Sequence, residues 1–283
     1  MTMRELDINT VRQAVARMVV EANCDIGEAM LACLAECQTR EERPLARSIL
    51  GKLVDNDTLA RVRQVPMCQD TGMAVFRVQM GSELVFTGGS LEEAIQQGMT
   101  DGYRDGYLRK SVVADPVFRR VNTGDNSPAI IYYEWVDGDR LTITFSPKGF
   151  GSENMSAVSM LKPADGAEGV RRFVLDTIRR AGPNPCPPMV VGVGIGGTFE
   201  KCAQLAKFAL MRDLGTVNPD PDYAALEREL LAAANGLDIG PAGLGGKTTA
   251  LAVHIETFPT HIAGLPVAVN ICCHAYRHSR VVL

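Results

Sequence analysis

Four of the eight cysteines in this 283-residue sequence stand where a thiol can do chemistry. Cys68 follows Pro66 and opens Cys-Gln-Asp-Thr-Gly. Cys186 is wedged between prolines in Gly182-Pro-Asn-Pro-Cys-Pro-Pro. Cys272 and Cys273 close a short apolar run and precede His274. Turns and element ends aim side chains at sites rather than into packing. Three thiolates drawn from distant segments suit a metal or cluster with an open coordination position, since a closed structural site normally takes four ligands. The other cysteines, Cys24, Cys33, Cys37 and Cys202, lie in or beside amphipathic helical patterns, where free cysteine behaves as a small buried hydrophobe. No C-x-x-C pair occurs, so the strongest sign of zinc or of a thioredoxin-like dithiol is missing.

Two glycine-rich segments imitate nucleotide loops. Gly192-Val-Gly-Ile-Gly-Gly197 fits G-x-G-x-x-G after an apolar run and before a helix. The dinucleotide fingerprint also needs a second strand ending in an acidic residue about 20 positions on. Here the sequence runs into Leu214-Gly-Thr-Val-Asn-Pro-Asp-Pro, which reads as loop. Gly243-Leu-Gly-Gly-Lys-Thr248 resembles a Walker A loop, but its first glycine is replaced by Pro241. Tight turns and close backbone packing explain the first better than a nucleotide does; the second leaves open a glycine-rich turn that exposes backbone N–H groups to some anion, but not ATPase activity.

Several blocks in fixed order carry more information than any one of them. Pro66-Met-Cys-Gln-Asp-Thr-Gly72, Lys148-Gly-Phe-Gly-Ser-Glu-Asn154, Gly192–Thr198, Gly243–Lys247 and His261-Ile-Ala-Gly-Leu-Pro-Val-Ala-Val-Asn-Ile-Cys-Cys-His274 follow one another. Together they resemble the α-subunit of the two-subunit class I fumarases and L-tartrate dehydratases, from roughly residue 10 onward. The resemblance implies a hydro-lyase whose three cysteines hold a [4Fe–4S] cluster, with the fourth iron open to a small dicarboxylate substrate. Carried over, the ligands are Cys68, Cys186 and Cys273, the last preferred to Cys272 because it directly precedes His274. Gln69 and Asp70 match positions beside the substrate, and Arg109 an arginine that pairs with its carboxylate. Gly151 matches a glycine whose backbone approaches the substrate, and His261 an active-site histidine. Phe150 stands where the family pattern has a third glycine. The expected reaction is the reversible hydration of fumarate to malate, with L-tartrate dehydratase and mesaconate hydratase as alternatives. The resemblance further implies a separate β-subunit and self-association of α-subunits. Two rivals of other classes stay open: a nucleotide-binding module resting on the glycine-rich segments, and a redox or iron-sensing protein without turnover.

The elements that must position these residues are legible from periodicity. Residues 1–65 read as a helical N-terminal portion, its third helix spanning about Pro44 to Val65 with a break at Asp55–Asp57. An apolar strand follows Gly72. Ser90-Leu-Glu-Glu93 is a capping-box signature that opens a helix to about Arg109. Ala129–Val136 and Leu141–Phe145 flank Asp137-Gly-Asp139, a hairpin signal. Helices are expected at 165–180, 198–214 and 222–234, and strands at 189–195, 251–255 and 267–272. The fold class is α+β, a helical portion followed by a mixed α/β cluster-binding region, read as a single domain over 1–283. A net charge of -4 gives no polyanion-binding footprint, so nucleic acid is not an expected partner. Met1-Thr-Met-Arg-Glu-Leu-Asp has no apolar leader, and no run reaches the roughly 20 apolar residues of a membrane span. The expected location is the cytoplasm.

Overall fold

A computed structural model describes residues 3–283; Met1 and Thr2, part of the start read above as leaderless, lie outside the described residues. The chain forms β1 (Arg4–Asp7), α1 (Ile8–Cys24), α2 (Glu28–Arg40), α3 (Pro44–Arg63), β2 (Met73–Gly81), β3 (Leu84–Thr87), α4 (Leu91–Asp105), β4 (Ile130–Val136) and β5 (Leu141–Lys148). It continues through α5 (Phe150–Glu153), β6 (Ala157–Leu161), α6 (Gly166–Ala181), β7 (Met189–Gly196), α7 (Phe199–Ala209), α8 (Pro221–Asn235), β8 (Ala250–Phe258), β9 (Leu265–Cys272) and β10 (Ser279–Val282). The architecture is α+β, and apart from the short β1 the region up to residue 63 is helical. Among the described residues no helix is long and apolar enough to cross a membrane.

The chain divides into two compact units, each built from separated stretches. The first takes the chain through Ile26, Asp57–Phe150 and Arg277–Leu283. Its four-stranded sheet runs β10-β5-β2-β4, beside a parallel β1–β3 pair. Phe76 on β2 and Phe145 on β5 are register partners whose ring centroids lie 5.0 Å apart. They share a core with Val15 and Met18 of α1 and with Ile95 and Met99 of α4. The two helices touch backbone to backbone. A Cβ on Gly98 would lie 2.5 Å from the Arg12 carbonyl oxygen, and one on Gly102 2.8 Å from that of Ala16. Ser90 caps α4 as its sequence predicts, its hydroxyl accepting from the Glu93 amide at 3.4 Å.

Three expectations in this part of the chain are corrected. Asp137–Asp139 does reverse the chain, but β4 and β5 do not pair with each other. β2 lies between them, parallel to β4 and antiparallel to β5. The chain leaving β2 fills the mouth of the turn: Gly81, Ser82 and Glu83 donate to the carbonyls of Arg140, Val136 and Gly138, each at 2.9 Å. β2 and β5 are the two interior strands of this sheet and its well-buried ones, whereas the edge strand β4 is largely exposed. Helix α3 also runs unbroken through Asp57, which is fully buried. Polar residues in a helix interior cost only a few tenths of a kcal/mol each, too little to end a packed helix. Finally, α4 stops at Asp105. Gly106 closes it onto Gly102, and Tyr107 turns left-handed with φ +52°. Arg109 therefore lies in irregular chain.

The second unit takes Gly27–Asn56 and Gly151–Tyr276. Its sheet runs β6-β9-β7-β8, with β7 parallel to β8 and antiparallel to β9. Strand β7 is buried along its whole length. On one face Val191, Val193 and Ile195 meet Val174 and Ile178 of α6 and Leu230 of α8. On the other, Gly192 and Gly194 admit α7 so closely that a Cβ would lie 2.2 Å and 2.0 Å from the carbonyl oxygens of Ala206 and Cys202. The glycines that imitate a dinucleotide fingerprint are there for helix-on-sheet contact. Helix α7 ends at Ala209, short of the expected Leu214.

Candidate active site

In the first unit, the turn from Cys68 to Gly72 is suspended from its carbonyl oxygens. Arg277 Nη2 donates to the Asp70 carbonyl at 2.6 Å, and the Tyr103 hydroxyl donates to those of Thr71 and Gly72 at 2.6 Å and 3.0 Å. Asn126 Nδ2 adds a bond to the Gly72 carbonyl at 3.1 Å, while its Oδ1 accepts from the Ser111 amide at 2.7 Å. Burial pushes the Tyr103 phenol well above its ordinary pKa, so it stays a proton donor. Ahead of these three carbonyls the side chains grow progressively more exposed: Met67 is buried, Cys68 half-buried and Gln69 exposed. Both oxygens of the Asp70 carboxylate are engaged, Oδ1 by the Gly72 amide at 3.0 Å and Oδ2 by the Phe150 amide at 2.9 Å. The Thr71 hydroxyl donates to the Arg109 carbonyl at 2.8 Å, which ties the exposed Arg109 to this turn. Cys68, Gln69, Asp70 and Arg109 are thus one local constellation.

The second unit gathers the other candidates except one. Cys186 takes φ +53° between its prolines, with its amide on the Pro183 carbonyl at 3.0 Å. Its own carbonyl accepts from the His274 amide at 3.2 Å, which joins this turn to the chain leaving β9. Cys272, the last residue of β9, is buried opposite Val190, whereas Cys273 lies beyond the strand and is half-buried. Near Gly151 there is room: a Cβ there would meet only the Asn184 carbonyl oxygen, at 3.8 Å. Glu153 secures α5, pairing with Lys207 and accepting from Asn270 Nδ2 at 2.8 Å. His261 stands apart. It occupies the turn between β8 and β9, where its carbonyl accepts from the Gly264 amide at 2.9 Å and its Nδ1 from that of Ala263 at 3.2 Å. The whole of β9 separates it from Cys273, roughly 25 Å at about 3.3 Å per residue. His261 instead lines a largely apolar cavity of about 410 Å³ with Val170, Ile195, Tyr223 and Leu226.

The sequence profile of the fumarate hydratase (fumerase) family matches residues 12–282. A Methanocaldococcus jannaschii protein provisionally named as an L(+)-tartrate dehydratase subunit alpha is 41% identical over 279 residues, covering 95% of this chain and 96% of its own. The L(+)-tartrate dehydratase subunit alpha of Escherichia coli strain K12 is 31% identical over 282 residues, covering 98% and 91%. The chain belongs to the fumarate hydratase family. It is a hydro-lyase, an enzyme that adds water across a carbon–carbon double bond or removes it to form one.

The eight cysteines of this fumarate hydratase family member differ in setting. All eight are free of disulfides. Burial raises the Cys24 and Cys202 thiols, which keeps them protonated. Cys33 and Cys37 are one helical turn apart on α2 and share a hydrogen bond, which favours the proton on Cys33 and the thiolate on Cys37. Among the described residues no three His, Cys, Asp or Glu side chains gather closely enough to hold a metal ion. Sequence reasoning passed over Tyr103, Asn126 and Arg277. They act on backbone carbonyls from far along the chain, and no local pattern marks such a role.

Proposed function

We propose that the chain is the cluster-bearing α-subunit of a two-subunit hydro-lyase, all of 1–283 serving as one catalytic subunit. Cys68, Cys186 and Cys273 would hold a [4Fe–4S] cluster. Their soft sulfur donors suit iron–sulfur ligation, and their half-buried or exposed settings outside regular strands and helices suit an exchangeable ligand. Cys272, buried in the sheet, suits it less. When bound, the cluster would supply a Lewis-acidic iron for the substrate hydroxyl.

The chain's own residues would orient the substrate. Arg109 offers a fork-shaped partner for one carboxylate. Gly151 leaves space that its fold does not need, which favours close approach of a ligand to its backbone. Asp70 would anchor the turn through one amide hydrogen on each carboxylate oxygen, with a lone pair left on each to face substrate or take a proton. His261, distant from Cys273 within its own unit, would act on substrate only at the site of a second α copy, in keeping with self-association. A separate β-subunit and a cytoplasmic location complete this reading.

For the substrate, the names of the relatives favour L(+)-tartrate over the fumarate–malate pair to which the sequence led. The 41% identity over 95% of the chain carries that preference. The test is anaerobic reconstitution with iron, sulfide and the β-partner, followed by L(+)-tartrate, malate, fumarate and mesaconate. Tartrate yields a 2-oxo acid and malate an ultraviolet-absorbing alkene, so the two activities are read separately. Turnover of malate but not tartrate would reverse the order, and turnover of none would sink the reading.

A further inference from the structure

The glycine-rich stretch that imitates a Walker A loop already holds an anion, and the anion belongs to the protein. Glu41, one residue past α2, is 0% exposed. Its Oε1 accepts from the Glu42 and Arg43 amides at 3.0 Å each, and its Oε2 from the Lys247 amide at 2.7 Å. A Cβ on Gly246 would lie 2.8 Å from the same Oε2. The other loop amides are also satisfied internally: Gly243 on Gly240, Gly245 on Ile239, and Gly246 on Asp238 Oδ1 at 3.0 Å.

The far side of this loop leans on the Cys186 turn. The Ala242 amide donates to the Pro187 carbonyl at 2.8 Å, and a Cβ on Gly243 would lie 2.2 Å from the Pro183 Cβ. Cys186 itself adopts φ +53°, a conformation a side-chain-bearing residue keeps only where its surroundings impose it. A buried carboxylate is costly unless several donors satisfy it, and here three backbone amides do.

We propose that Glu41 is a positioning residue for Cys186: its buried carboxylate fixes the Gly240–Lys247 loop, and the loop holds the Cys186 turn in its left-handed form. The inference deepens the reading of Cys186 as a cluster ligand and rests on it for its functional meaning. Glu41→Gln keeps the side chain's size but sets an NH₂ group against one of the three amides. Gly243→Ala reaches the same turn independently, by pressing a methyl group on Pro183.

The cluster-free protein is treated with iodoacetamide under native conditions, and each cysteine is followed by mass spectrometry. In both variants the alkylation rate of Cys186 should change several-fold, with Cys68 unchanged and the buried Cys202 and Cys272 still protected. General loosening would expose those two, so their reaction in both variants would overturn the proposal. After reconstitution, the variants should hold iron about 10- to 100-fold less tightly against a chelator, the usual loss of affinity on removing a residue that orients a ligand. The electron paramagnetic resonance of the reduced cluster should shift as well. Wild-type alkylation of Cys186 in both variants overturns the proposal. Wild-type protein that takes up no iron sinks the cluster reading instead, while the alkylation comparison still decides whether Glu41 sets the turn.

Discussion

Tyr103 lies fully buried, and its hydroxyl donates to the Thr71 and Gly72 carbonyls. Tyr103→Phe keeps the ring and deletes the donor, so a buried acceptor is left unsatisfied. The expected loss is about 1–3 kcal/mol in urea unfolding. Because Asn126 still serves the Gly72 carbonyl, the lower half of that range is expected, and a stability equal to wild type would show that the turn re-forms its bonds. A second prediction concerns Arg109, whose proposed role depends on shape as well as charge. Arg109→Lys should cost about tenfold or more in kcat/KM while leaving bound iron unchanged. Wild-type kinetics in that variant would remove Arg109 from the substrate's carboxylate. The cysteines give the third. Serine at 68, 186 or 273 should abolish iron binding, whereas serine at 24, 33, 37 or 202 should leave it intact; loss on changing Cys272 but not Cys273 would reverse the choice between neighbours. At this scale the sequence displayed the constellation of Cys68, Gln69 and Asp70 as a contiguous block. It hid Arg277, more than 200 positions away, because a side chain that holds a carbonyl leaves no motif around either partner.

Elements were legible where the forces that make them are local. Ser90 and Glu93 mark the start of α4 because capping involves residues three apart, and the apolar run at 189–195 marks β7 by composition alone. The hairpin at 137–139 misled because a turn signal reports reversal of the chain and not the partner of each strand. The partner, β2, is more than 50 residues upstream of its β4 neighbours. Contact between α1 and α4 offers a clean test of an element-scale claim. Gly98→Ala should gain about 1 kcal/mol from helix propensity. The new methyl would also press on the Arg12 carbonyl at 2.5 Å, an overpacking that costs about 1–3 kcal/mol. Net destabilisation is expected in thermal or urea unfolding, and a stabilised Gly98→Ala would mean that the helices part easily.

For the whole molecule, an iron open to substrate is open to oxidants too. The reconstituted enzyme should lose activity in air and regain it with ferrous iron and a reductant, and hours of indifference to air would argue for a fully ligated centre. The isolated chain should carry iron yet show little hydratase activity until the β-partner is added. Robust turnover by the chain alone would place the entire catalytic apparatus within these residues.

Arg277 and β10 give the first unit a peculiar birth. During synthesis the second unit's stretches, Gly27–Asn56 and Gly151–Tyr276, have all left the ribosome before Arg277 does. Until then β5 has a bare outer edge, and the Asp70 carbonyl waits for the guanidinium that will hold it. Cys186 and Cys273 therefore meet their finished surroundings earlier than Cys68 meets its own. If Cys68, Cys186 and Cys273 hold the cluster as proposed, a nascent chain halted before Arg277 would carry all three thiols but only two of them in settled turns, and metal met too soon would find an incomplete set of hands.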